Sequence, residues 1–154
     1  SFFEKNENFL VANVDILHNI NLDLMRKTHI DNHNLATLAV SKRQTSRYLL
    51  FDEEQKLGGW CNKKTGEIRL ALSGANESSE LNYLAFSGLQ ILNTDIFNLM
   101  PQKEVFSIID VYLSAAAKHK LMAFRHEADI WLDVGKHDAL PKAAQMVETI
   151  DFAV

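Results

Sequence analysis

The sequence predicts an α/β fold: a mixed, mainly parallel sheet flanked by helices, with an inserted antiparallel β-meander. Three observations carry this expectation. First, the apolar run Phe9 to Asp15, a helical stripe and a second apolar run, Leu35 to Val40, follow one another within the length of a strand–helix–strand unit, which makes the two strands parallel. Second, between Tyr48 and Leu72 the apolar stretches shorten and alternate with polar turns, as in an antiparallel meander. Third, 154 residues with 47% hydrophobic and 23% charged side chains suffice to bury a core without staples.

Taken in order, Phe9-Leu10-Val11-Ala12-Asn13-Val14-Asp15 reads as a buried strand that closes on a carboxylate. Asn19 to His33 is a helix with Asn21 as cap, an i,i+4 pair at Asp23 and Lys27, and Leu22, Met25 and Ile30 near one stripe. Leu35 to Val40 is the second strand. Tyr48 to Phe51, Leu57 to Cys61 and Glu67 to Leu72 form the meander, with turns at Asp52 to Gln55 and Asn62 to Gly66. After the polar loop Gly74 to Glu80 comes a long strand, Tyr83 to Leu92, and a short helical turn near Thr94 to Leu99 that stops before Pro101. Ser107 and Asp110 open the next helix as a capping box, with Ile109, Leu113 and Ala116 on one face. Two short strands, Leu121 to His126 and Ile130 to Val134, precede a last helix from about His137 to Ile150, with Pro141 in its first turn.

Composition excludes several classes of function. Sixteen Lys and Arg against twenty Asp and Glu leave a net charge of -4, which argues against binding nucleic acid through its phosphates. A lone cysteine, Cys61, rules out an internal disulfide framework and suits a reducing, cytoplasmic setting. No apolar run approaches the 18 residues of a membrane span, and no targeting signal is evident.

In an α/β sheet chemistry gathers at the carboxyl ends of strands, so Asp15 and Asp133 draw attention. Each closes an apolar strand, and Val134-Gly135 turns the chain into the last helix. Two carboxylates converging on one rim repel unless a cation lies between them, and hard oxygen ligands select Mg²⁺. The alternative is that each is simply a helix cap or turn former.

Leu10-Val11-Ala12-Asn13-Val14-Asp15, Leu84-Ala85-Phe86-Ser87-Gly88-Leu89-Gln90-Ile91-Leu92 and Trp131-Leu132-Asp133-Val134-Gly135-Lys136 resemble, in order and spacing, the later part of the sugar-1-phosphate nucleotidyltransferases. The likeness is to the bacterial branch of mannose-1-phosphate guanylyltransferases and N-acetylmuramate 1-phosphate uridylyltransferases. Lys136 stands where that branch usually has Thr. The resemblance implies a Rossmann-like sheet of the nucleotide-diphospho-sugar transferase type. It also implies transfer of a nucleotidyl group from a nucleoside triphosphate to a sugar 1-phosphate, guanylyl transfer to mannose 1-phosphate being the specific version. Asp15 and Asp133 would be catalytic and hold Mg²⁺ between the reacting phosphates. Asn13, Asn62, Lys63, Ser87 and Gly88 would contact substrate, Gly88 by letting the backbone approach the hexose. A plain bulge in a long strand explains Gly88 equally well.

The family's opening glycine-rich loop with its Arg and following Lys, which cradles the triphosphate, has no counterpart here. Gly58-Gly59 lies inside the meander, and Gly135-Lys136 follows the second Asp. Residues 1–154 are thus expected to be the carboxyl-terminal part of one nucleotidyltransferase domain, with the meander insertion at about 47–82. The amino-terminal part of the fold would be missing and the chain inactive alone, with one flank of the sheet exposed or covered by a partner chain, which is compatible with a homo-oligomer. The alternative is a sugar-nucleotide-binding or regulatory relative that lacks the phosphate loop by nature.

Other features have plainer explanations. His29 and His33 have a metal-compatible spacing but no third ligand, and a solvated helix face is favoured. Lys63-Lys64 and Lys118-His119-Lys120 fit exposed turns and helix ends. Asn62 to Gly66 is equally a surface turn. Trp60 and Trp131 are expected in the core, and Cys61 as a small structural residue.

Overall fold

The computed structural model describes residues 3–71, 81–126, 130–135 and 139–147. The main sheet contains β1 (Asn8–Ala12), β3 (Ala36–Ser41), β4 (Arg47–Phe51), β5 (Leu57–Asn62), β6 (Glu67–Leu70), β7 (Asn82–Asn93) and β8 (Leu121–Arg125). Its order is β6-β5-β4-β7-β3-β8, with β1 also on β7. A separate two-stranded ribbon joins β2 (Ile16–His18) to β9 (Trp131–Asp133). Helix α1 (Leu22–Asp31) links the ribbon to β3, α2 (Ile108–Ala115) precedes β8, and α3 (Leu140–Val147) follows β9.

β3 is buried at all six positions because helices cover both faces. Its Leu38 and Val40 point into a core closed by Val111, Tyr112, Leu113 and Ala115 of α2. Ala39 points the other way and meets Met25 of α1, together with Ile20, Leu89 and Ile91. That two-sided burial explains the continuous apolar run, which a half-exposed strand would break by alternation. Buried Tyr112 donates its hydroxyl to Gln90 Oε1 at 2.6 Å, and burial pushes its phenol pKa up.

The mixed sheet flanked by helices is as expected, but the pairing is less parallel than the sequence predicts. Among the described strands, β3 with β8 is the parallel pair. β1 and β3 do run the same way across the α1 crossover, yet they lie on opposite edges of β7 and each pairs with it antiparallel. The long β7 occupies the place between them that a simple strand–helix–strand unit would leave closed. The meander forms as predicted and extends this sheet directly, through β4 and β7. β1 has β7 as its sole partner among the described strands, and Leu10 on it is 46% exposed.

Several local expectations change. Asn21 caps α1 by accepting the Leu24 N–H at 2.8 Å, as predicted. Lys27 pairs with Asp31 and not with Asp23, which sits in the first turn beside the helix N-terminus. The buried face of α1 is Met25 and His29, while Leu22 and Ile30 are over a third exposed. His29 is therefore no solvated residue: it is 1% exposed and held by Thr37 and Asn8. Ser107 makes no side-chain cap, and Asp110 pairs with Arg69 of β6 instead. The turn at Thr94–Leu99 is 3-10 helix. Trp60 and Cys61 are buried, as expected. The loop Gly74 to Glu80, Lys136 and the ends of the last predicted helix lie outside the described residues.

Candidate functional site

The two predicted carboxylates converge, by a route the sequence does not reveal. β1 ends at Ala12, so Asp15 lies in the turn before β2 and not on a strand end. In the ribbon Ile16 stands opposite Asp133, and the Val134 N–H donates to Asp15 O at 2.8 Å. Gly135 then turns beneath both side chains, its N–H donating to Asp133 Oδ1 at 3.0 Å. A Cβ at Gly135 would sit 2.7 Å from Asp15 Oδ2 and 3.2 Å from Asp133 Oδ1. Only glycine leaves that space open, and two carboxylate oxygens border it.

That donor set is oxygen-only and doubly negative. Among the described residues no group of three His, Cys, Asp or Glu gathers to form a complete protein cage. Mg²⁺ does not need one, since it keeps several waters and is commonly held by one or two carboxylates plus substrate phosphates. The pair and the open cradle at Gly135 therefore fit such an ion.

A bulge in β7 adjoins the ribbon. Leu38 of β3 faces Gln90 and Val40 faces Phe86, so β7 carries two extra residues around Ser87 and Gly88. Gly88 has φ +81, and a Cβ there would meet Ile16 Cγ1 at 3.0 Å and Asn13 Nδ2 at 3.1 Å. Both the left-handed backbone and the close approach require glycine. Asn13 N–H donates to Gly88 O at 2.8 Å, so Asn13 and Gly88 are neighbours. The Ser87 hydroxyl is fully buried and lies 2.7 Å from His126 Nε2, while Ser87 O accepts the Trp131 indole N–H at 2.7 Å.

Arg43 completes the constellation, and nothing local in Lys42-Arg43-Gln44 marks it out. Its guanidinium stacks on Trp131 at 3.8 Å and donates to Phe86 O at 2.5 Å. Burial lowers its pKa, against the opposing pull of Asp133 and Tyr48. Trp131 is thus half-buried and hydrogen-bonded, not simply a core residue. Asn62 and Lys63 lie apart, at the end of β5 opposite Arg47. Asn62 Oδ1 accepts the Lys64 N–H at 3.0 Å, as a turn former, and Lys63 Nζ rests 4.1 Å above the Tyr83 ring.

No family model matches the sequence, and no curated protein is similar to it. Solved structures are similar in fold. One, described as a glucose-1-phosphate thymidylyltransferase from Bacillus anthracis and crystallised with sucrose, superposes with a TM-score of 0.71 at 13% identity, over 97% of this chain and 58% of that one. The chain shares its fold with that structure. The UTP-bound UGPase from Acinetobacter baumannii gives 0.69 at 14% identity over 92% and 51%, and the inositol-1-phosphate CTP transferase from T. maritima 0.66 at 15% over 99% and 59%. The chain spans just over half the length of each of these solved chains.

Proposed function

We propose that this chain is part of a sugar-1-phosphate nucleotidyltransferase. The observation that carries the reading is the meeting of the Asp15 and Asp133 carboxylates over Gly135, on a fold shared with enzymes that handle phosphorylated sugars or nucleoside triphosphates. In the proposed reaction an oxygen of the sugar 1-phosphate bonds to the α-phosphorus, the bond to the β,γ-diphosphate breaks, and pyrophosphate leaves with its electron pair. Asp15 and Asp133 would hold Mg²⁺, which supplies charge neutralisation to the phosphates when bound. The chain's own residues position: exposed Asn13 would face the sugar with the buried backbone of Ser87 and Gly88 behind it, and Asn62 and Lys63 would contact substrate separately, from the end of β5. Arg43 keeps a fixed positive charge beside Asp133. Mannose 1-phosphate and a guanosine triphosphate donor are the specific pair proposed.

These 154 residues contain no glycine-rich phosphate loop, so the chain alone is expected to release no pyrophosphate. The test is pyrophosphate release by the intact enzyme across a panel of nucleoside triphosphates and sugar 1-phosphates. Asp15→Asn and Asp133→Asn should each abolish metal-dependent turnover with the melting temperature kept. Undiminished rates in either variant refute the metal assignment, and nucleotide-sugar binding without turnover in the intact protein favours a regulatory binder.

A further inference from the structure

Arg43 lies in the segment between β3 and β4 and reaches across to the ribbon. Trp131 and Asp133 are two apart on β9, so their side chains share one face, with Ile16 opposite Asp133 on β2. That face looks inward, since Trp131 and Ile16 pack against the cluster of Leu89 and Ile91. The guanidinium sits 3.8 Å over the Trp131 ring and donates through Nη2 to Phe86 O at 2.5 Å, so it is fixed from two sides on the face that carries Asp133. Among the described residues no ion pair joins it to Asp15 or Asp133. The charge is therefore held near the carboxylates without occupying their oxygens. Asp133 acts on it through space, against the burial that lowers its pKa. Keeping it there is costly, for Nε is buried and donates to no acceptor. A neutral amide could make the bond to Phe86 O and an apolar stem could cover Trp131, but neither would bring a charge.

We infer that Arg43 is a resident counter-ion of the carboxylate pair, which opposes a free divalent cation there and favours one delivered on substrate phosphates. The inference rests on the reading of Asp15 and Asp133 as metal ligands. Without Arg43 the pair would present two negative charges to any cation that diffuses in. With it, a bare divalent ion meets a fixed like charge at short range. A metal carried on a phosphate chain meets the opposite, because the phosphates bring negative charge that the guanidinium attracts. Arg43 thus discriminates by charge and leaves the ligand geometry to Asp15, Asp133 and Gly135.

The experiment is Mn²⁺ titration of the intact protein, reading the free-ion signal by electron paramagnetic resonance at low and at high salt. The site is defined as the binding lost in Asp133→Asn. Arg43→Gln should tighten it about three- to tenfold at low salt, the scale of one partly exposed pair of charges, and the gain should shrink at high salt. Arg43→Lys keeps the charge and should stay within about twofold of the parent. Arg43→Met, which keeps a stem on the Trp131 ring, decides the matter if Arg43→Gln does not fold. Mn²⁺ presented as its pyrophosphate complex should shift the other way, binding Arg43→Gln more weakly than the parent. A residue that only held the ribbon together would weaken both kinds of binding when replaced, at either salt. Free Mn²⁺ bound no more tightly in Arg43→Gln and Arg43→Met, or bound as much more tightly in Arg43→Lys, overturns the inference and leaves the carboxylate reading standing. Binding that survives Asp133→Asn, or no binding in any form, overturns the carboxylate reading and the inference with it.

Discussion

Gly135→Ala isolates the carboxylate site from the fold. The φ of Gly135 lies outside the left-handed region and the residue is exposed, so alanine is tolerated by the backbone and folding stability should change by less than about 1 kcal/mol. The new methyl would nevertheless lie 2.7 Å from Asp15 Oδ2, about 0.7 Å inside ordinary contact, and 3.2 Å from Asp133 Oδ1. The Asp15 carboxylate has to move. Mg²⁺ binds oxygen at about 2.0–2.1 Å in a near-octahedral shell and tolerates little displacement, so a shift of that size removes one ligand or tilts it out of line. Perturbed ligand positioning commonly costs about 10–100-fold in metal affinity, and that loss is expected here. The assay is titration with Mn²⁺ as a paramagnetic stand-in, reading line broadening near Asp15 and Asp133, beside a thermal melt. Mn²⁺ affinity equal to the parent's, with an unchanged melt, would show that the two carboxylates do not share a cation.

Gly88→Ala should destabilise the protein by about 2–4 kcal/mol, from the left-handed backbone plus contacts with Asn13 and Ile16, visible as a lowered urea midpoint; an unchanged midpoint would mean that the bulge can reshape. Burial lowers the His29 pKa from 6.5 to about 4, so between those values the unfolded chain binds a proton that the folded chain refuses. Stability is therefore full above pH 6.5 and declines as pH falls towards 4, by up to about 3 kcal/mol, and His29→Gln should flatten that slope in melts taken across the range. Trp131→Phe keeps a ring beneath Arg43 but leaves Ser87 O without its donor, at a cost of about 1–2 kcal/mol in chemical denaturation; a loss below 0.5 kcal/mol would count against the indole bond as an anchor.

The elements read well from sequence where one residue's surroundings repeat along the chain. β3 is uniformly buried and the meander strands are separated by regular turns, so both have local signatures. The ribbon has none. β2 and β9 are three residues each and pair residues over a hundred positions apart, and no periodicity survives in so short a stretch. The motifs place Asp15 and Asp133 together, but their approach through a turn and Gly135 is a tertiary fact. His29 misleads for a related reason: a polar residue on a helix reads as solvated unless Asn8 of β1 and Thr37 of β3 are known to meet it. Arg43 and His126 act through partners on β7 and carry no local mark at all.

The bulge explains how a marginal ribbon can hold a chemically demanding site. Two paired strands of three residues are not stable alone in water. This ribbon is tied down at several points: Trp131 to Ser87 O, Asn13 to Gly88 O, and Asn19 to Ile130 in both directions, with Arg43 clamped between Trp131 and Phe86. Three of those ties reach β7 at or beside Ser87 and Gly88. Because the bulge inserts two residues, not one, the side chains of β7 keep their faces on either side of it: Leu84 and Leu92 serve one core, Leu89 and Ile91 the other. A single insertion would turn half the strand inside out. The sheet can thus expose backbone carbonyls to the ribbon at no cost to its two cores, and the position of the carboxylate pair is set by the longest of the described strands.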